Sequence, residues 1–440
     1  MTDNPANLLA RPLALSCGQV IPNRIMKSAT TEGLAGPDDN PNARHERLYR
    51  RWSEGGAGLL VTGNVMIHRA HLERPGNVVL EDDRALPALR AWAQAGTSAG
   101  NQLWMQISHP GRQCPKAVNP KPVSASDVQL KLGGGFGRPR PLTEAEILDI
   151  IERFGRAAGL AQEAGFTGVQ LHGAHGYLIS QFLSPVTNRR NDAWGGSLEN
   201  RSRLLAESLK AMRAAVGPRF PISVKLNSSD FRKGGFDLDD CLQVIEWLNA
   251  LGVDLLEISG GSYEQPRLMG VEGDSDTFHM PRHEGALKRE AFFLRYAEAV
   301  RRAARMPLAM TGGFRQRETM LAALESGDVD LVGMARPFCT DPDVPRKLLQ
   351  GDIDQAPQRE HEMRLGPGLL SVQSPIQMVR GLNMFSQMGW FYDRIEKMSD
   401  DRSLDAGPGP WKALVSAMRN DARAAKARHY QATGQPSPQE

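Results

Sequence analysis

The stretch TEAEILDIIERFGRAAGLAQEAGFTGVQLHGAHG, Thr143 to Gly176, couples one helix to one strand. Thr143 followed by Glu146 is a capping-box signature. Ile147, Ile150, Ile151, Phe154, Ala158 and Ala161 keep helical spacing, and Gly165 ends the run. Gly168–His172 (GVQLH) is then short and apolar, the pattern of a parallel strand covered on both faces.

Working outward, the same alternation recurs. Strands are predicted at Arg24–Thr30, Gly58–Ile67, Gln102–Ser108, Gly168–His172, Ile222–Asn227, Leu255–Gly261, Pro307–Gly313 and Leu331–Pro337. Helical spacing falls at Asn200–Val216, Asp239–Leu251, Lys288–Ala304 and Arg315–Glu325. Eight strands joined by helices predict an α/β fold, a (β/α)8 TIM barrel. An open doubly wound sheet has the same ingredients, but its Gly-rich dinucleotide fingerprint is missing after the first strand. Residues 8–23 read as a small hairpin that plugs one barrel end. The barrel unit spans 8–350. Residues 351–440 form a C-terminal helical extension with helices at Pro375–Lys397 and Trp411–His429 and a frayed polar tail, QATGQPSPQE.

Of 440 residues, 40% are apolar, ample for a large core, and the 53 basic and 50 acidic residues nearly cancel to +3. That balance argues against an electrostatic grip on nucleic acid or an anionic membrane. No apolar run reaches the ~18 residues of a spanning helix. The first residues, interrupted by Arg11 and Pro12, make a poor signal peptide. Cys17, Cys114, Cys241 and Cys339 are scattered, as expected of reduced thiols in a cytoplasmic protein rather than of a zinc or iron–sulfur site.

In such a barrel, reactive side chains gather at the carboxyl ends of the strands. The fourth strand ends in His172 and His175. Residues i and i+3 of a strand face opposite ways, so the rings converge only if the chain leaves extended geometry, which Gly173 and Gly176 permit. Two imidazole N–H groups so placed can hold one ligand oxygen, with Tyr177 nearby as a proton donor. A metal-binding or solvated histidine pair is the alternative. The fifth strand carries Lys225, which if buried needs a negative partner and otherwise forms a surface ion pair. Gly312 and Gly313 after the seventh strand, and Arg336 after the eighth, suit a phosphate group, or else are ordinary turns plus a surface arginine. Ser28, Thr30, Thr31 and Gln106 are neutral groups suited to the edge of a polar ring system.

Residues 171–205, LHGAHGYLISQFLSPVTNRRNDAWGGSLENRSRLL, closely resemble the signature of the Old Yellow Enzyme family of FMN-dependent ene-reductases. The likeness continues in PNRIMKSATTEG, QLWMQISHPGRQ, VKLNSSDFRKGGF, MTGGF and DLVGMARPF, covering roughly residues 8–350 in order. It implies FMN over the strand ends, NADH or NADPH as electron donor, and a small-molecule substrate with an electron-poor alkene. Thr31 matches the flavin O4 contact, where some members carry cysteine. Ser28, Ala29 and Thr30 match the isoalloxazine lining, Gly63 a small residue packed on the ring, and Gln106 the pyrimidine-edge contact. Lys225 matches the basic position beside N1 and O2. Gly312, Gly313, Ala335 and Arg336 match the phosphate cradle. His172 and His175 match the pair that binds the substrate carbonyl oxygen, with His172 also against the flavin, and Tyr177 matches the proton donor. NDAWGGSLENR is read as structural, with Asp192, Glu199 and Arg201 fixing a loop and a helix start. His109 is read as loop packing. The loop Gly270–Glu284 is read as a mobile lid. Relatives that reduce dienoyl-CoA thioesters or demethylate amines, and a flavin-binding barrel of low turnover, are the competing readings. The sequence leaves a homo-oligomer open.

Overall fold

The computed structural model describes residues 7–132, 134–259, 298–359, 362–404 and 407–433. Eight parallel strands form the barrel: β1 (Ile25–Lys27), β2 (Leu59–Val61), β3 (Gln102–Ser108), β4 (Gly168–Gly173), β5 (Ile222–Asn227), β6 (Leu255–Ser259), β7 (Leu308–Thr311) and β8 (Leu331–Met334). Each pairs with the next, and β8 returns to β1, so the sheet closes. The (β/α)8 expectation is met.

Local signals explain the elements. Thr143 and Glu146 form the expected reciprocal cap of the helix Glu144–Glu163, worth about 1 kcal/mol. Gly165 follows it at φ 92°, a left-handed conformation glycine adopts without strain. The helices Leu198–Val216 and Leu238–Ala250 begin after the side-chain caps Ser197 and Asp237.

Several predicted strands run longer than the observed ones, and two of these boundaries have a clear cause. The second strand breaks at Thr62–Asn64, because the Thr62 hydroxyl accepts from Gln106 N–H at 2.9 Å and Gly63 N–H turns aside to Glu32. A short piece, Val65–Met66, then pairs with the end of β3. The eighth strand stops at Met334, since Arg336 and Pro337 open a short helix, Arg336–Thr340, with proline in its first turn. Residues 260–261 of the predicted sixth strand, the loop Gly270–Glu284 and most of the helix predicted at Lys288–Ala304 lie outside the described residues; 298–303 are helical.

The hairpin pairs Leu13–Ala14 with Val20–Ile21. Its Leu13, Leu15 and Ile21 pack against Met26, Leu59, Val61, Trp104, Leu255, Ala309 and Leu331, an apolar layer inside the amino end of the barrel. That end is thereby sealed, and polar chemistry is left to the carboxyl end.

Beyond the barrel, the helices Gln377–Ser399 and Pro410–Thr433 lie side by side. Ser386 donates to Pro410 O at 2.6 Å and Asn420 to Glu396 at 2.9 Å, so both run the same way. The second helix reaches the loops after β1 and β2. There Arg428 clasps Asp39 at 2.7 and 3.0 Å, and Arg74 pairs with Asp421 while its guanidinium stacks 3.9 Å from the Tyr392 ring centre. No helix among the described residues is long and apolar enough to cross a membrane.

Candidate functional site

Strand alternation builds the site in layers. Two residues downstream of the apolar layer, on the same inward faces, stand Ser28, Gln106, Glu257, Thr311 and Gly333. Gln106 and Glu257 are fully buried, and Lys225, the register partner of Glu257, is 3% exposed. Glu257 accepts from Lys225 Nζ at 2.7 Å, from Thr311 Oγ1 at 2.5 Å and from Gln170 Nε2 at 2.8 Å. Gln170 in turn accepts from Gln106 Nε2 at 2.7 Å, and Ser28 and Thr311 share a 2.6 Å hydroxyl bond. A Cβ on Gly333 would overlap Thr311 Oγ1 and sit 2.7 Å from Ser28 Oγ, which explains a glycine there.

Lys225 therefore has the negative partner its burial requires, and the surface-pair alternative falls. Glu257 and Gln170 were missed by the sequence reading. Their signals are an acid inside the apolar run LLEIS and an amide two residues before His172 on the same strand face.

His172 stands next up the barrel wall, in register with Lys225. Its Nδ1 accepts from Ala174 N–H at 3.3 Å, which leaves the ring proton on Nε2. The chain leaves extended geometry as expected, but the left-handed residues are His175 itself, at φ 61°, and Gly176, at φ 77°. Gly173 remains in the strand. His175 is held by Asn227 Oδ1 on its backbone N–H at 3.1 Å and by Ser259 Oγ on Nε2 at 2.7 Å. These two anchors, at the ends of β5 and β6, offset the strain of a non-glycine residue at positive φ.

The two imidazoles lie 5.1 Å apart between centres, and the Tyr177 ring stands edge-on to His172 at 4.7 Å and 82°. Burial first, then the cost of a second positive charge beside His175 and the Lys225 cation, holds His172 well below the ordinary histidine range. Burial and Lys225 push His175 down to about 3. Both rings are neutral near pH 7. Among the described residues, no group of three or more His, Cys, Asp or Glu side chains is placed to hold a metal.

Tyr177 precedes the short helix Leu178–Leu183. Gln181 on that helix donates to Pro110 O at 3.1 Å and Gly176 O at 2.7 Å and accepts from Arg112 N–H at 3.2 Å, locking the turn to the loop after β3. His109 packs in that loop, its Nδ1 accepting from Gly111 N–H at 3.0 Å. Asp192 pairs with Arg190 at 2.6 Å, Arg201 with Asp240 at 3.3 Å, and Glu199 lies in the first turn of its helix, the supporting arrangement expected of this segment.

The remaining positions sit on neighbouring rims. Ala29, Thr30 and Thr31 are half-buried after β1. Glu32, also missed, accepts from Gly63 N–H at 2.8 Å and from the Tyr49 hydroxyl. A Cβ at Gly63 would overlap that carboxylate and lie 2.7 Å from Thr30 O. Gly312 and Gly313, at φ 113° and 85°, follow β7, while Ala335 and Arg336 follow its neighbour β8.

FMN fits these residues. Gln106 Oε1 is buried with no hydrogen-bond partner among the described residues, an acceptor waiting for a donor. It opens on the same interior as the Lys225 cation, and the glycine and arginine rims of β7 and β8 suit a phosphate.

The comparisons agree. The model of the NADH:flavin oxidoreductase / NADH oxidase family matches residues 9–355. The NADH-dependent flavin oxidoreductase iccE of Talaromyces variabilis is 33% identical over 413 residues, covering 89% of this chain and 98% of that protein. The NADH-dependent flavin oxidoreductase iliE of Neonectria sp. (strain DH2) is 36% identical over 357 residues, 76% of this chain, and this chain spans only 46% of it. Among solved structures, the Old Yellow Enzyme homologue from Zymomonas mobilis has a TM-score of 0.67 at 26% identity, covering 82% of this chain and 97% of that one. The chain is an FMN-dependent oxidoreductase and belongs to the NADH:flavin oxidoreductase / NADH oxidase family, that of Old Yellow Enzyme.

Proposed function

We propose that the protein uses NADH or NADPH to reduce the activated C=C bond of α,β-unsaturated carbonyl compounds, with residues 8–350 as the flavin-binding unit and 351–440 as an appendage. The observation that carries this reading is the convergence of His172, His175 and Tyr177, rings 5.1 and 4.7 Å apart, on the interior that holds Lys225 and Gln106.

Bound FMN supplies a hydride for the β-carbon of the alkene. The chain's own residues then deal with charge and with a proton. His172 offers Nε2–H to the substrate carbonyl oxygen. With Ser259 as the donor in its 2.7 Å bond to His175 Nε2, that ring carries its proton on Nδ1 and offers a second donor. Two neutral donors fixed in advance stabilise the oxygen as negative charge develops on it, without reorganising at that moment. Tyr177 donates the proton to the α-carbon. Gln106 and Lys225 hold the pyrimidine edge, Ser28, Ala29, Thr30, Thr31 and Gly63 line the ring, and Gly312, Gly313, Ala335 and Arg336 hold the phosphate.

Purified protein is expected to be yellow and to bleach anaerobically with NADH or NADPH, then to regain colour with cyclohexenone, a maleimide or a nitroalkene. Colourless protein that takes up no FMN on reconstitution would overturn the cofactor assignment. Reduced protein that none of these alkenes reoxidises would overturn the substrate class.

A further inference from the structure

Glu257 is wholly enclosed on β6, and none of the roles above uses it directly. A carboxylate only accepts hydrogen bonds, and that fact propagates. Gln170 must turn its NH2 to Glu257, so it shows its carbonyl to Gln106. Gln106 must then give its NH2 to Gln170, so it shows Oε1 to the cofactor space, the buried oxygen with no partner among the described residues. The second branch obeys the same rule. Thr311 donates to Glu257, so in the 2.6 Å pair Ser28 is the donor. Glu257 also fixes Lys225 Nζ at 2.7 Å.

We propose that Glu257 is a positioning residue of the cofactor site. One buried carboxylate sets the polarity of the Gln170–Gln106 relay and pins Lys225. The site then offers an acceptor and a cation together, complementary to the N3–H donor and the N1/O2 edge of a flavin. This rests on FMN occupying the site as read above. The negative charge of Glu257 also offsets the field of Lys225, and so limits how far that cation favours reduced, anionic flavin.

The test compares wild type, Glu257→Gln and Gln170→Leu, measuring FMN dissociation and the midpoint potential of bound FMN. A glutamine at 257 can offer NH2 to Gln170, which lets the relay reverse and sets Gln106 NH2 against N3–H. E257Q is expected to bind FMN at least tenfold more weakly. Its potential should rise by at least about 30 mV, a tenfold change for a two-electron couple. Q170L cuts the relay but spares the Glu257–Lys225 pair, so FMN binding weakens while the potential holds. A purely structural role would lower thermal stability and leave the potential of bound flavin where it was. E257Q with wild-type affinity and potential overturns the proposal. Should E257Q not fold, as judged by circular dichroism, Q170L with wild-type FMN affinity overturns it instead. Wild type that binds no FMN overturns the function reading itself, a result distinct from either.

Discussion

The phenol of Tyr177 stands edge-on to the His172 imidazole, ring centres 4.7 Å apart, at the mouth of a barrel whose other end is plugged by Leu13, Leu15 and Ile21. On the proposed function this places the proton donor beside the oxygen-binding group but on a different element, so the two proposed roles are separable. Tyr177→Phe keeps the packing and removes only the hydroxyl. Alkene-driven reoxidation is expected to slow by about 10²–10⁴-fold while reduction by NADH or NADPH persists. Stopped-flow measurement of the two half-reactions checks this, and equal loss in both would remove Tyr177 from the proton step.

Gly63 is tied to Glu32 rather than merely being small. An added methyl would overlap the Glu32 carboxylate and crowd Thr30 O at 2.7 Å. Gly63→Ala is expected to displace the segment Thr30–Glu32 and raise the FMN dissociation constant by roughly tenfold, about 1.4 kcal/mol. Fluorescence titration with FMN reads this out, and unchanged affinity would show that the loop yields.

The final helix is anchored through Arg428 to Asp39, whose side chain is 3% exposed. Arg428→Ala leaves a buried carboxylate without its bidentate partner. Breaking such pairs typically destabilises by ~3–5 kcal/mol, and the 20% exposure of Arg428 reduces the expectation to about 2 kcal/mol. Adding Asp39→Asn should recover part of the loss. Denaturant unfolding of the single and double variants measures it, and a single variant as stable as wild type would show that the helix is held elsewhere.

Stability should fall on mild acidification. Burial holds His45 and His175 near 3 and His71 near 4, below the ordinary 6.5. These rings stay neutral in the folded protein while the unfolded chain takes up protons below 6.5. Their contribution is therefore complete above that pH and is lost as pH drops toward 4, at up to about 1.4 kcal/mol per unit for each fully buried ring. His45 caps a helix away from the site, its Nδ1 accepting from Asn42 N–H at 3.3 Å. His45→Asn keeps an acceptor but cannot titrate. It should flatten the fall in unfolding midpoint between pH 6.5 and 4, and an unaltered slope would exclude His45 as a source.

The barrel was legible because its signals are local. Thr143 and Glu146 cap, Gly165 terminates, and apolar runs such as GVQLH need burial on both faces. The boundaries that slipped, at Thr62–Asn64 and at Arg336, are places where side-chain partners far along the chain, or a proline, outvote the strand pattern. Of the candidate site, His172, His175, Tyr177 and Lys225 carried motif signals. Glu257, Gln170 and Glu32 did not, since one acid in an apolar strand looks the same whether its partner is water or a buried lysine.

By itself, then, the chain's order of residues determined an alternation of helix and strand, a count of eight strands, and which strand ends bear reactive groups. Those follow from periodicity and short-range capping, which act over a few neighbours. Only the tertiary structure decided that Glu257 faces Lys225 and Gln170, that His175 takes the left-handed turn, and that the last helix docks on Asp39. Those relations join strands and loops tens to hundreds of residues apart, and they exist only once the ring of strands has shut and forced their side chains into one dry interior.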